Sequence, residues 1–289
     1  MSGRGISGLG MPPMQYRVDL WCPGFETAKA STMEDLSRGE GLCRAVRDYP
    51  GKIDRPEGLR LATSLMSEEP TGSLASSVAM RSHRIKVCGH IWQLIRKVKT
   101  NKVRTFTIVP ATWEYPADRL MEADPAAMIN GLRAALYGRG AGQASGWLIA
   151  FVHSEHDPIA DVYRFHVHGF AHGGMIEVVD RLRSLPNYRS RLHLPDGSRN
   201  PVYRRVRRAR KGLRNLPAPV TYLLQSFWPA RAVISKDGSR FRVRRKGRIK
   251  EPRHSQVLMW LDKHRLEDIT LMIGLRVTKD GLKQTKPVS

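Results

Sequence analysis

Five of the chain's ten histidines, His153, His156, His166, His168 and His172, fall within twenty residues. Imidazole is neutral near pH 7 and binds divalent metals through either ring nitrogen, so metal chemistry is the first reading of such a cluster. His166 and His168 stand two apart in a run, 162–170, rich in aromatic and β-branched residues. Side chains two apart leave the same face of a strand. His153 and Glu155 share a face of the preceding run in the same way. If the two runs pair as a hairpin across the polar turn at Asp157-Pro158, two imidazoles and a carboxylate converge. That donor set suits a divalent ion with open positions, Mg²⁺, Mn²⁺ or Zn²⁺. His166, His168 and Glu155 are the expected ligands, with His153 as the alternative third. His156 and His172 are expected to be structural.

The elements that could hold these residues are legible around them. Residues 104–110 read as a strand stopped by Pro110, and 146–153 and 162–170 as two more. Asp124-Pro125 opens a helix that runs to Gly138, and 175–185 forms another. A helix is expected at 220–228, a two-stranded basic ribbon at 239–250 around Gly247, and a final helix at 254–266. Upstream, apolar residues recur at helical spacing among Lys and Arg over 84–99, which predicts a basic amphipathic helix. Residues 1–80, rich in Gly, Ser, Pro and Glu, read as a partly flexible extension with one short helix near 31–46. The order predicts an α+β fold, a central and mainly antiparallel sheet with flanking helices. Three regions follow: an extension over 1–83, a catalytic domain over 84–238, and a basic ribbon and helix over 239–289.

Charge narrows the partner. The 289 residues hold 49 Lys and Arg against 26 Asp and Glu, a net of +23. Residues 181–250 alone carry +19, with Asp196 and Asp237 as their only acids. A localised basic surface calls for a polyanion, nucleic acid first and anionic membrane second. Arg204, Arg205, Arg207, Arg208, Arg242, Arg244, Arg245 and Lys246 are the expected DNA contacts, and Trp228, Phe227 or Tyr203 could stack an unpaired base. No apolar run is long enough to span a membrane, and the first residues lack the apolar stretch of a secretory signal. Cys22, Cys43 and Cys88 form no C-x-x-C pair, which excludes thiolate zinc sites and fits a reducing, cytoplasmic setting. The chain has no phosphate-binding loop with its lysine, hence no motor.

In order and content these segments resemble the His-hydrophobe-His (HUH) endonuclease superfamily, particularly the rolling-circle replication initiators of small plasmids and phages. Phe165-His166-Val167-His168-Gly169-Phe170 resembles the metal-binding strand. Phe106-Thr107-Ile108-Val109-Pro110 stands where that family has a Phe-x-Thr strand, and the stretch from Val220 to Trp228 where it has a tyrosine helix. The likeness spans about residues 100–230. It implies nicking and joining of DNA with Tyr222 as nucleophile and Mg²⁺ or Mn²⁺ as cofactor. The tyrosine would hold the cut end as a 5′-phosphotyrosine, leaving a 3′-hydroxyl that primes synthesis. Origin DNA, single-stranded or in a hairpin, is the implied substrate, with host helicase and polymerase as partners. Gln225 and Ser226 stand where such proteins commonly carry a lysine, no second tyrosine follows four residues on, and Tyr203 is the competing nucleophile. A transposase or mobilisation relaxase of the same superfamily would look alike. The reading from a different class is a non-catalytic, basic nucleic-acid-binding protein with structural histidines. A zinc hydrolase of small substrates would leave the charge without a purpose.

Overall fold

The computed structural model describes residues 5–285 apart from 70, 99, 192–195, 198, 200–204, 226 and 227. The N-terminal part is more built than its composition announces. After α1 (Val18–Trp21) come two helices, α2 (Ala28–Asp48) and α3 (Arg55–Met66), where the sequence predicts one short helix. The buried face of α2 is Ser31, Asp35, Arg38, Gly39, Leu42 and Ala45, a helical stripe made mostly of small and polar residues. A hydrophobicity pattern passes over such a stripe. Two of its polar members are hydrogen-bonded: Arg38 donates to the Ala75 carbonyl at 2.6 Å, and Asp35 accepts from the Ser76 hydroxyl at 2.6 Å, whereas the Ser31 hydroxyl is buried without a partner among the described residues. Gly39 lets α3 approach, since a Cβ there would lie 2.5 Å from the Met66 side chain. Leu42, Leu61 and Leu65 belong to the common core, so these residues are part of the body and not an appendage.

The next helix, α4 (Ser77–Arg96), starts seven residues before its expected position, with the Ser76 hydroxyl accepting from the Ala79 amide. The expected boundary at 83/84 therefore falls inside a helix. Val87, Cys88, Ile91, Leu94 and Ile95 are all buried, which makes α4 a core helix instead of a basic surface one.

The sheet follows. Its strands are β1 (Val103–Ile108) and β2 (Glu114–Pro116), then, after α5 (Pro125–Tyr137), the long pair β3 (Gly146–Asp157) and β4 (Val162–Gly173). Asp124 caps α5 through the amides of Ala126 and Ala127. α6 (Met175–Arg181), β5 (Val206–Arg208) and the single turn α7 (Ala218–Thr221) lead to four short strands. These are β6 (Pro229–Ala230), β7 (Val233–Lys236), β8 (Ser239–Arg242) and β9 (Gly247–Arg248). The chain closes with α8 (Arg253–Asp262) and β10 (Thr270–Ile273), β11 (Leu275–Thr278) and β12 (Gly281–Gln284), where the sequence suggests only a tail after the helix.

The result is an α+β fold on an eight-stranded, mostly antiparallel sheet flanked by helices. Its path runs β5-β1-β4-β3-β6-β9, with β10 also on β3 and β2 also on β4. The β3–β4 hairpin holds register from Gly146↔Gly173 to Asp157↔Val162. Every residue of β3 is buried, so its first half, Trp147 to Val152, reads as a continuous apolar run instead of an alternation, and its polar second half is buried with it.

Two expected elements form differently. The basic hairpin is β7–β8, turning at Asp237-Gly238 with positive φ at both (51° and 65°), as a two-residue hairpin turn demands. Gly247 pairs instead with Ala230. The expected boundary at 238/239 thus cuts a hairpin at its tip. The helix expected at 220–228 ends at Thr221, because the chain turns to bury Leu223, Leu224 and Trp228. Trp228 packs edge-on against Phe165 at 5.4 Å and beside Trp260 at 5.0 Å, so it is a core residue and not a base-stacking one.

Candidate functional site

Register puts the chemistry on one face. His153 lies directly opposite His166, Phe151 opposite His168, and Glu155 opposite Arg164. The three imidazoles pack as a group, with ring centroids 4.7 Å apart for His166–His168, 4.9 Å for His153–His168 and 5.8 Å for His153–His166. The Nε2 atoms of His166 and His168 are 3.1 Å apart. Two nitrogens on neighbouring positions of one ion, with bonds of about 2.1 Å, would stand about 3 Å apart. Both rings are anchored from behind, as metal-binding imidazoles are. His166 Nδ1–H donates to the Arg164 carbonyl (3.2 Å), which leaves a lone pair on its Nε2. His168 Nδ1 meets the Thr107 hydroxyl at 2.8 Å, and that hydroxyl can donate or accept as the tautomer changes. In the sequence Thr107 is only part of a strand; β1 brings it opposite His168.

Burial holds these rings neutral. It pushes His153 down to about 4 and His166 to about 3, the latter helped by its neighbour His153, and His168 moves well below its ordinary value for the same reasons. In the unfolded chain each imidazole takes up a proton below about pH 6.5, and the folded chain refuses it down to about pH 4. The unfolded state therefore binds more protons in that window, and stability falls as pH falls through it. In chelator, the metal-free protein should lose about 1.4 kcal/mol per pH unit for each ring that stays neutral. Thermal melts at pH 7, 6 and 5 check this; a constant Tm would mean that the rings protonate in place.

The third expected ligand is elsewhere. Both oxygens of Glu155 face cations, Oε1 at 3.4 Å from Arg231 and Oε2 at 3.1 Å from Arg242. These arginines come from beside β6 and from β8, far along the chain, and their charge claims the carboxylate. His153, the alternative, donates from Nε2 to the Leu223 carbonyl at 2.6 Å. Among the described residues, no group of three or more His, Cys, Asp or Glu side chains is set to hold a metal. The spacing of the pair His166 and His168 fits a divalent ion, while the Glu155 oxygens face Arg231 and Arg242. Glu155→Gln should accordingly leave Mn²⁺ affinity within about threefold while costing roughly 1.5–3 kcal/mol from the two charged contacts. Titration calorimetry and melting check both halves, and a large loss of Mn²⁺ affinity would return Glu155 to the ligand set. His156 and His172 lie apart, His156 beside Tyr163 and hydrogen-bonded to Asp161, His172 stacked on Trp147.

Tyr222 does reach the site. It caps the single turn of α7, and its ring stands edge-on to His168 at 5.1 Å, half-exposed. Its hydroxyl accepts a hydrogen bond from Lys246 Nζ at 3.2 Å, and the same ammonium lies 5.1 Å over the ring. The cation beside Tyr222 thus comes from the loop before β9 and not from the residues that follow the tyrosine. Only its place in a basic run marks Lys246 in the sequence. Tyr203, Arg204, Ser226 and Phe227 lie outside the described residues.

The remaining arginines form two groups. Arg207 on β5 shares register with Thr107, which places it two strand spacings, about 10 Å, from His168. Arg207, Arg208, Arg210 and Arg183 line an open groove of about 730 Å³ along that edge, where Asp180 holds Arg208 at 2.6 Å. Arg205 is half-buried beside it, next to the last residues of β1. Arg244 and Arg245 are exposed, flanking Lys246, while Arg242 is committed to Glu155. No helix among the described residues is long and apolar enough to cross a membrane.

The chain matches no family model, no curated protein and no solved structure. Its function is therefore read from the arrangement of histidine pair, half-exposed tyrosine and arginine groove.

Proposed function

We propose that the protein is a divalent-metal-dependent DNA endonuclease and strand transferase that cuts single-stranded DNA through Tyr222. One observation carries the reading. A half-exposed tyrosine, 54 residues downstream of His168, is folded back onto that ring with a lysine on its hydroxyl. A packing tyrosine would bury its ring in the core and need no cation.

In the proposed reaction the Tyr222 oxygen attacks the scissile phosphorus, and its proton leaves through its open side to water. The new bond joins phosphorus to the phenolic oxygen; the bond that breaks joins phosphorus to the 3′-oxygen of the preceding nucleotide. That oxygen departs and picks up a proton. The likeness to HUH enzymes implies this polarity and a 3′-hydroxyl ready to prime synthesis, hence initiation of rolling-circle replication. Lys246, already against the tyrosine oxygen, faces the phosphate as it arrives and stabilises its charge. His166 and His168 would hold a divalent ion, Mg²⁺ or Mn²⁺, whose Lewis acidity polarises the phosphate oxygens. Because the attacking group stays bound to the cut end, the reverse attack by a 3′-hydroxyl rejoins DNA without an energy source.

The basic groove beside β5 and the exposed Arg244 and Arg245 supply the sequence-independent grip. Binding by such contacts weakens steeply as salt rises. The same basic groove would serve the second reading, a non-catalytic nucleic-acid-binding protein. Incubation with labelled single-stranded DNA from the protein's own replicon and Mn²⁺ separates the two. A covalent adduct that survives denaturation supports the nuclease, and no cleavage with any divalent metal supports the binding protein. A transposase or relaxase would form the same adduct on a different sequence.

A further inference from the structure

The six tryptophans divide sharply by burial. Trp92, Trp113, Trp147, Trp228 and Trp260 are each at most 8% exposed, whereas Trp21 is 57% exposed. An indole left in water forgoes the burial that large aromatics ordinarily supply, so its position calls for a ligand. Its one donor is already used: Nε1–H donates to the Met14 carbonyl at 3.2 Å, which fixes the ring. What remains on offer is a flat apolar face. Met14, whose carbonyl holds the ring, and its chain neighbours Met11 and Leu20 are each more than half exposed. The patch is held from below by Val18, fully buried, and by Tyr16, whose ring meets Trp92 edge-on at 5.5 Å.

This shelf is tied to the tyrosine turn. Cys22, the next residue, places its sulfur 3.7 Å from the hydroxyl of Thr221, the residue before Tyr222. Arg84 clasps both sides, donating to the Thr221 carbonyl at 3.4 Å and lying 4.5 Å over the Phe25 ring. Covalent geometry and that one contact keep the Trp21 and Tyr222 Cα atoms within about 16 Å. The surface beyond Tyr222 is cationic, with Lys246 on the hydroxyl and exposed Arg244 and Arg245 next to it in the chain. A ligand with flat apolar rings on one side and anionic groups on the other is a nucleic-acid strand with its bases unstacked.

We propose that Trp21 is a stacking platform for an unpaired base, a few nucleotides from the phosphate that Tyr222 attacks. The proposal rests on the single-strand reading of the site, and it makes α1, in a stretch silent in the sequence, part of the DNA path. Because the other five indoles are buried, collisional quenching by aqueous iodide reads chiefly Trp21.

The test uses the full chain in chelator, so that no cutting occurs, with fluorescein-labelled oligothymidylate of about twelve nucleotides. Anisotropy of the label reads binding, and iodide access and emission, followed with the same oligonucleotide unlabelled so that no dye accepts energy, read Trp21. Binding should quench the emission and shield it from iodide. Trp21→Ala should weaken binding roughly 5- to 150-fold, the equivalent of losing one stacked base, while Trp21→Phe stays within about fivefold. Binding that leaves Trp21 open to iodide, or that Trp21→Ala does not weaken, overturns this inference and leaves the nuclease reading intact. No binding by any variant overturns both. A fluorescence change with phosphatidylserine vesicles and none with DNA assigns the patch to lipid and also overturns it.

Discussion

Tyr222→Phe is expected to abolish the covalent protein–DNA adduct, a loss of at least about a thousandfold, as when other enzymic nucleophiles are removed. The substitution is clean in physical terms. Tyr222 is 46% exposed, and phenylalanine keeps the ring that lies on His168 while giving up the hydrogen bond from Lys246. One exposed hydrogen bond is worth about 1 kcal/mol or less, so Tm should hardly move. DNA binding should persist too, since the basic groove is untouched. An unchanged fold with unchanged binding and no adduct would locate the nucleophile. If the adduct survives in Tyr222→Phe and vanishes in Tyr203→Phe, the nucleophile is the other tyrosine.

The second large effect is at the histidine pair. His168→Ala should lower Mn²⁺-dependent cutting by about 10²–10⁴-fold, the equivalent of several kcal/mol of charge stabilisation in the transition state. It removes a nitrogen that stands 3.1 Å from its partner on His166, and with it the ring against which Tyr222 rests. His166→Ala should reach the same order, but by weakened metal binding without the disturbance to Tyr222. Both variants should bind Mn²⁺ far more weakly by calorimetry. Undiminished Mn²⁺-dependent adduct formation in the doubly substituted protein would remove the metal from the mechanism.

The parts of this fold that are legible in the sequence share a property: they depend on neighbours close along the chain. The His166–His168 alternation, the hairpin across Asp157 and the capping of α5 by Asp124 are all local, and all form near where the sequence predicts them. What is hidden is set by distant partners. Glu155 reads as a ligand until Arg231 and Arg242 arrive, 76 and 87 residues later, and claim both its oxygens. Lys246 reads as one more basic residue until the chain returns it to Tyr222. Trp228 reads as a free aromatic until Phe165 and Trp260 enclose it. The buried stripe of α2 is invisible for another reason, since it buries aspartate and arginine through hydrogen bonds instead of by apolar contact.

The pairing of β10 with β3 has a bearing on how the protein is made. Thr270 meets Phe151 in the finished sheet, 119 residues downstream. A ribosome adding 5–20 residues per second leaves that edge of β3 bare for roughly ten seconds. During that time a buried, largely apolar strand offers unpaired amides and carbonyls to any other nascent chain. Translation that stalls or terminates before β10 would leave the edge open for good, and such fragments would be substrates for chaperones and proteases.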